Sequence, residues 1–300
     1  MAKPKMHDNE VETSVGLVRR LLQSQFPQWA ELPIQLVESF GTDHDIYRLG
    51  ESLAARLPRI EWATAQAEKE TVWLPKLAPH LPLAIPAPVA MGQAGFGYPF
   101  NWSISRWLPG ADLNHADIDL VQAADDLAQF VTALRGVDVT GAPTRAPGGR
   151  GSPLDELDDV VRQSLSELDD RIGVAAATES WQQSLAASPW HHDEVWVHGD
   201  LLPGNLLAVD GRLSAVIDFG GLNVGDPACD LLAAWNVFEG ASRNRYRHEL
   251  GVDDDSWLRG RGWALAQAVM AMPYYWDTNE GMVQQASRAI EGILAEATER

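Results

Sequence analysis

The chain has 300 residues, 45% of them hydrophobic, which is enough to bury a large core in one or two domains. A formal net charge of −19 argues against nucleic acid or an anionic membrane as the main partner, since both would repel it. The single cysteine rules out an internal disulfide, no apolar run approaches a membrane span, and the opening residues Met1–Asp8 carry no apolar targeting core, so a cytoplasmic protein is expected, as monomer or homodimer.

In chain order, Val11–Phe26 has the spacing of an amphipathic helix. Val37–Leu49 reads as a strand, a turn over Gly41–Asp45 and a second strand, and Ser52–Leu57 supplies a third. Trp62–Leu77 is helical in period, with Pro75 disturbing its last turn. Strands follow near Val89–Gly92 and Tyr98–Leu108, then a core-facing helix over Asp117–Gly136. Thr140–Pro153 is rich in Gly and Pro, and reads as a mobile loop that either borders an acceptor cleft or simply connects helices. Helices are predicted at Leu154–Ile172, Thr178–Ala187, Asp226–Phe238, Arg243–Leu250, Asp255–Met272 and Met282–Ala297. Cys229 falls on the apolar side of one of them, as a buried thiol.

Chemistry concentrates between Val195 and Gly220. His198-Gly-Asp200 is followed by Asn205, and an apolar strand ends in Asp218-Phe-Gly220. A protein-kinase catalytic loop reads H-R-D-x-x-x-x-N and its metal aspartate opens a D-F-G, so carboxylate, amide and second carboxylate stand here at the offsets that phosphoryl transfer uses. Such a reaction needs an acceptor hydroxyl held in line and charge neutralised on phosphate oxygens. Asp200 suits the first task. Asn205 and Asp218 offer hard oxygen ligands for Mg²⁺. His198 is read as a brace for the loop. Asp226-Pro227 has the form of a helix start, with Asp as N-cap, and Asp230 either reaches back to the catalytic loop or is a solvated first-turn acid. The cluster His191, His192, Asp193, His198 and Asp200 raises a metal-dependent hydrolase as another reading, but the downstream sequence lacks the Gly-Asn-His and Gly-His elements that carry the further ligands of a metallophosphoesterase.

The string His198-Gly-Asp-Leu-Leu-Pro-Gly-Asn205, with Ile217-Asp-Phe-Gly-Gly221 and Gly225-Asp-Pro-Ala-Cys-Asp-Leu231, resembles the aminoglycoside phosphotransferase family, relatives of choline kinase and protein kinases. The resemblance implies an α+β, bilobal protein-kinase-like fold, with a small β-rich N-lobe over residues 1–107 and a larger, mainly helical C-lobe over 108–300. It implies Asp200 as catalytic aspartate, Asn205 and Asp218 on magnesium, structural roles for Asp226 and Asp230, and ATP or GTP as donor. Arg56 stands where the family's phosphate-binding lysine is expected, a departure that keeps the charge but changes the geometry. Glu70 is its expected partner, with Glu68 the weaker candidate. Gly41, Thr42 and Asp43 would form a lid over phosphates, and Ser105 and Trp107 lie in a segment similar to the interlobe linker that binds the purine. Trp107 either stacks on the base or belongs to the core.

The acceptor is expected to be a hydroxylated small molecule, an antibiotic or a metabolite, bound among the later helices. Trp235, Asn236, Tyr274, Tyr275, Trp276 and Asp277 are candidate lining residues. Acidic clusters at 112–126, 155–170 and 253–255 would steer a cationic acceptor, or are solvated helical faces. A pseudokinase that binds nucleotide without turnover is the alternative if Arg56 fails to hold phosphate.

Overall fold

The computed structural model describes residues 10–37, 43–168 and 171–298. The chain divides into two compact units, one comprising Met1–Pro79, Ala84–Gly110 and Ala215–Gly220, the other His80–Leu83, Ala111–Ser214 and Gly221–Arg300. The fold is α+β, with the larger sheet in the first unit and most helices in the second.

The first unit is a five-stranded antiparallel sheet in the order β1 (Ile34–Leu36), β2 (His44–Leu49), β3 (Leu53–Pro58), β5 (Trp102–Arg106), β4 (Pro88–Gly92). Alternation assigns its two faces. Tyr47, Leu49, Leu53, Ala55, Leu57, Trp102 and Ile104 are buried in one core with Leu17, Val18, Leu21 and Leu22 of α1 (Val15–Gln25). Each leucine of that stripe contributes about 1.5–3 kcal/mol by leaving water. Ser14 caps α1 through a bond from the Leu17 N–H. The opposite strand positions include Ile46, Arg56 and Ser103, register partners across β2, β3 and β5. Against β4 and β5 lies α2 (Thr64–Leu77), which begins after a 3₁₀ turn at Glu61–Ala63 and contains Pro75.

Of the strand expected from Val37, the Val37 N–H donates to the Ile46 carbonyl at 2.8 Å just beyond β1, while its later residues 38–40, and Gly41 and Thr42 of the residues read as lid, lie outside the described residues.

The second unit is led by α8 (Asp254–Tyr275), buried on nearly all sides and packed by α4 (Asp158–Glu167), α5 (Val174–Leu185) and α9 (Glu280–Thr298). Beside it, α3 (Leu120–Arg135) packs on α7 (Gly240–Leu250). Short strands complete the unit: β7 (Val195–Val197) pairs antiparallel with β10 (Asn223–Gly225), and β6 (Ala111–Asp112) with β8 (Leu206–Val209), whose other neighbour is β9 (Arg212–Val216). The predicted helix at Asp226–Phe238 is a 3₁₀ segment, Pro227–Leu232, followed by one α turn, α6 (Ala233–Asn236). Leu154–Ile172 is likewise split into a 3₁₀ turn at Leu154–Leu157 and α4. Among the described residues no helix is long and apolar enough to cross a membrane.

Candidate active site

In the first unit, Arg56 of β3 is the centre of a charge cluster. Its Nη1 donates to Glu70 Oε1 of α2 at 2.5 Å, and its Nη2 to Asp218 Oδ1 at 2.5 Å. Burial opposes the guanidinium charge, but Glu70 and then Asp218 outweigh it and push the arginine above its ordinary range. Burial raises the Glu70 carboxyl, and Arg56 offsets only part of that. Glu68, two residues away, is exposed and meets Asn101 instead.

Asp218 adopts a left-handed backbone, φ 62°, which is costly for a residue with a Cβ and aims its carboxylate at Arg56. The turn it opens is held on α2: Lys69 Nζ donates to the Gly220 carbonyl at 2.7 Å, and a Cβ on Gly220 would stand 2.6 Å from Gln66 Oε1. His44 lies diagonal to Arg56 across the β2–β3 ladder. Burial, then the Arg56 charge, holds its imidazole well below the ordinary histidine range.

In the second unit, the segment between β7 and β8 carries Asp200. His198 is fully buried, and its Nδ1 accepts the Asp200 N–H at 3.2 Å. Gly199 has φ 76°, the region that favours glycine, and a Cβ there would lie 2.6 Å from Arg150 Cβ. Asp230 settles its two sequence readings by position: fully buried, its Oδ2 accepts the His198 N–H at 3.0 Å and its Oδ1 the Gly199 N–H at 2.7 Å. Burial raises its carboxyl, while His198 and those N–H groups pull the other way. Asp226 caps the 3₁₀ segment through Ala228 N–H and takes Arg259 Nε of α8 at 2.7 Å.

Asn205 Nδ2 donates to the Asp200 main-chain carbonyl at 2.8 Å and to Asp200 Oδ2 at 2.9 Å. Those bonds use the amide nitrogen, so the Asn205 carbonyl oxygen is the atom suited to a metal. In the first unit the Asp218 carboxylate is half-exposed, and carboxylate and amide oxygens alike are hard donors of the type magnesium accepts. Among the described residues there is no cluster of three or more His, Cys, Asp or Glu arranged to hold a metal, and His191 and His192 are exposed.

The phosphotransferase enzyme family matches residues 38–265, a span that contains both charge clusters. The chain belongs to that family. Viomycin phosphotransferase from Streptomyces vinaceus is 34% identical over 158 residues, which is 49% of this chain and 54% of that protein, so the chain spans about half the length of this curated relative. Among solved structures, the GDP and kanamycin complex of an APH(2") enzyme superposes with a TM-score of 0.71 at 18% identity, covering 94% of this chain and 99% of the other. A GDP complex of an aminoglycoside 2'-phosphotransferase variant gives 0.76 at 19% identity, with 94% and 97% covered. The apoenzyme of a macrolide 2'-phosphotransferase from Brachybacterium faecium gives 0.60 at 24% identity, with 90% and 97% covered. At these identities the likeness shows the kinase-like fold of the family.

The remaining family-implied residues are spread out. Ser105 pairs with Ala54 and Pro88 inside the sheet. Trp107 donates its main-chain N–H to the Ser52 carbonyl, and the Arg48 guanidinium sits 5.0 Å over its ring. The Asp43 carbonyl accepts the Arg59 N–H. Trp235 is corrected from a lining to a core residue: it is buried, packs 4.6 Å from Trp257 and donates Nε1 to Glu296. The Asn236 amide is turned inward to the Leu232 carbonyl. Tyr274 and Asp277 are exposed, and Tyr275 is half-buried against the Tyr274 ring. The exposed Trp276 ring carries Arg171 at 4.0 Å.

The Gly/Pro-rich segment is tied down by specific contacts. It packs on β10 and the turn that carries Asp200: Gly151 O accepts the Asp226 N–H, Arg145 Nη1 donates to the Val224 carbonyl and to Glu194, and Ser152 is fully buried. It delivers Arg150 to Asp200 at 3.3 Å, and α8 delivers Gln267 to the same oxygen at 2.6 Å. Neither residue was expected from the sequence. The one signal for Arg150 is a lone cation inside the run Gly148-Gly-Arg-Gly151, where small neighbours admit a close backbone approach.

Proposed function

We propose that this chain transfers the γ-phosphoryl group of ATP or GTP to a hydroxyl of a small-molecule antibiotic, most closely of the aminoglycoside type. The observation that carries the reading is the Asp200 carboxylate, held by Asn205 in a turn whose N–H groups are tied to buried Asp230. Such a carboxylate accepts or orients the acceptor proton while the acceptor oxygen bonds phosphorus and the β-phosphate oxygen leaves. Arg56, kept cationic by Glu70, is the proposed phosphate contact. Asn205 and Asp218 are the proposed magnesium ligands, and the metal, when bound, would neutralise charge on the phosphate oxygens. The relatives, named for viomycin, aminoglycosides and macrolides, support an antibiotic as acceptor.

A second reading draws on one feature. Arg56 is engaged with the Asp218 carboxylate itself, so cation and metal compete for one group, as they would in a protein that binds nucleotide without turnover.

Nucleotide consumption with Mg²⁺ against viomycin, aminoglycosides, macrolides and hydroxylated metabolites separates the two. The expected result is turnover on one class, reduced by at least about 10³-fold in Asp200→Ala with nucleotide affinity kept. Asp218→Ala is expected to lose Mg²⁺-dependent nucleotide binding. Turnover that survives Asp200→Ala would sink the assignment, and tight nucleotide binding with silence across the panel would favour the second reading.

A further inference from the structure

Three side chains from three separate segments converge on Asp200. Asn205 Nδ2 takes Oδ2 at 2.9 Å, Gln267 Nε2 of α8 takes Oδ1 at 2.6 Å, and Arg150 Nη2 of the glycine-rich segment reaches the same Oδ1 at 3.3 Å. Asn205 belongs to the motif. The other two lie 67 and 50 residues from Asp200 in the chain.

Both of these placements run against what folding alone would choose. Gln267 Oε1 is buried and makes no hydrogen bond, on a helix whose neighbouring Ala264, Leu265, Ala266 and Ala268 are buried and apolar. An orphan buried carbonyl is unfavourable, and a leucine of similar volume would avoid it. The amide is explained by its other end, where a donor is presented to the carboxylate.

Arg150 has its own structural cost. Its stem lies over the Asp200 turn where Gly199 leaves it room: a Cβ on Gly199 would meet Arg150 Cβ at 2.6 Å and Cγ at 2.7 Å. The turn is thus hollowed for this side chain, and Gly151, with φ 83°, lets the segment approach β10 closely enough to deliver it. Choices that break local folding rules mark functional positions.

We propose that Gln267 and Arg150 are positioning residues that fix the rotation of the Asp200 carboxylate, Gln267 through a direct neutral hydrogen bond and Arg150 through a charged one on the same oxygen. Two donors on Oδ1 and one on Oδ2 oppose rotation about the Cβ–Cγ bond, so the carboxylate meets the acceptor hydroxyl without reorganising. Its consequence for turnover rests on the phosphotransfer reading; the hold on the carboxylate does not.

The test uses the full chain with Gln267→Leu, Arg150→Ala and Arg150→Lys, on whichever acceptor of the panel above is turned over. Gln267→Leu is expected to keep or raise the melting temperature while kcat falls by about 10-fold or more and nucleotide KM stays within about 2-fold. Arg150→Ala is expected to lower kcat similarly, and Arg150→Lys to restore part of it. A residue with only a structural role would lose stability together with rate. Unchanged kcat in Gln267→Leu, or a loss of rate matched by a loss of folding, would overturn the proposal. A crystal structure of the Gln267→Leu/Arg150→Ala protein supplies a readout independent of turnover: the Asp200 carboxylate is expected to rotate away from its wild-type orientation, and an unmoved carboxylate overturns the proposal even if no acceptor is found. Failure of the phosphotransfer reading shows separately, as wild-type protein that binds nucleotide and turns over no acceptor of the panel.

Discussion

His44 is a neutral base held beside a permanent cation. Burial removes its imidazole from water, Arg56 adds repulsion against a second positive charge, and Asp218 offsets only part of this, so the folded chain resists the proton that an unfolded chain accepts near pH 6.5. Its contribution to stability is therefore fully present above pH 6.5 and is lost as pH falls below that value, by up to about 1.4 kcal/mol per pH unit. Urea unfolding from pH 7 to pH 5 is expected to show this slope in the wild type, and His44→Asn, which cannot take a proton, is expected to flatten it. Parallel slopes in the two proteins would remove His44 from the account. Cys229 is a contrast at the same scale: burial raises its thiol, and Asp230 adds to the effect, which makes it an inert core group.

At the scale of elements, the helices differ in what their glycines permit. On α8 a Cβ at Gly260 would stand 2.4 Å from Leu231 Cβ, and one at Gly262 2.5 Å from Leu154 Cδ1, so the helix lies against the 3₁₀ segments through absent side chains. Gly16 on α1 meets only Ser14 Oγ at 3.8 Å. Replacing glycine by alanine inside a helix gains about 0.5–1 kcal/mol, and forcing a methyl into a packed contact costs about 1–3 kcal/mol. The first term wins at Gly16 and the second at Gly260. Gly16→Ala is therefore expected to raise the melting temperature and Gly260→Ala to lower it; a rise in both would show that α8 can shift to make room. The same helix marks the limit of sequence reading. Its extent is legible from Asp255 to Met272, as are the Asp226 cap and the spacing of His198, Asp200 and Asn205, because these depend on neighbours a few residues apart. Gln267 and Arg150 are not legible, since their meeting with Asp200 is created by packing across 50 residues or more. Asp230 falls between, with both readings open until burial decides.

At the scale of the whole molecule, the charge of −19 has to be separated from the clusters that compose it. Those clusters have local work. Asp119 and Asp253 cap α3 and α8, Asp125 and Asp126 pair with Arg245 and Arg212, Asp158 accepts from Trp181, and Glu156 takes the Gly148 N–H. Exposed pairs of this kind add little stability individually, about 0–1 kcal/mol, and they leave the net charge in place. What remains is a long-range negative field, which attracts cations from solution and repels anions. It acts on encounter and is screened as the Debye length shrinks from about 10 Å at 0.1 M salt to about 3 Å at 1 M. A polycationic acceptor of the proposed aminoglycoside type is expected to lose about 10-fold in kcat/KM between 0.05 and 0.5 M NaCl, with most of the change in KM. A macrolide, carrying at most one positive charge, is expected to change by less than about 2-fold over the same range. Steady-state kinetics on both at constant pH decide the matter: equal salt slopes would mean that the field plays no part in acceptor capture, and that the acidic surface serves solubility and helix capping alone.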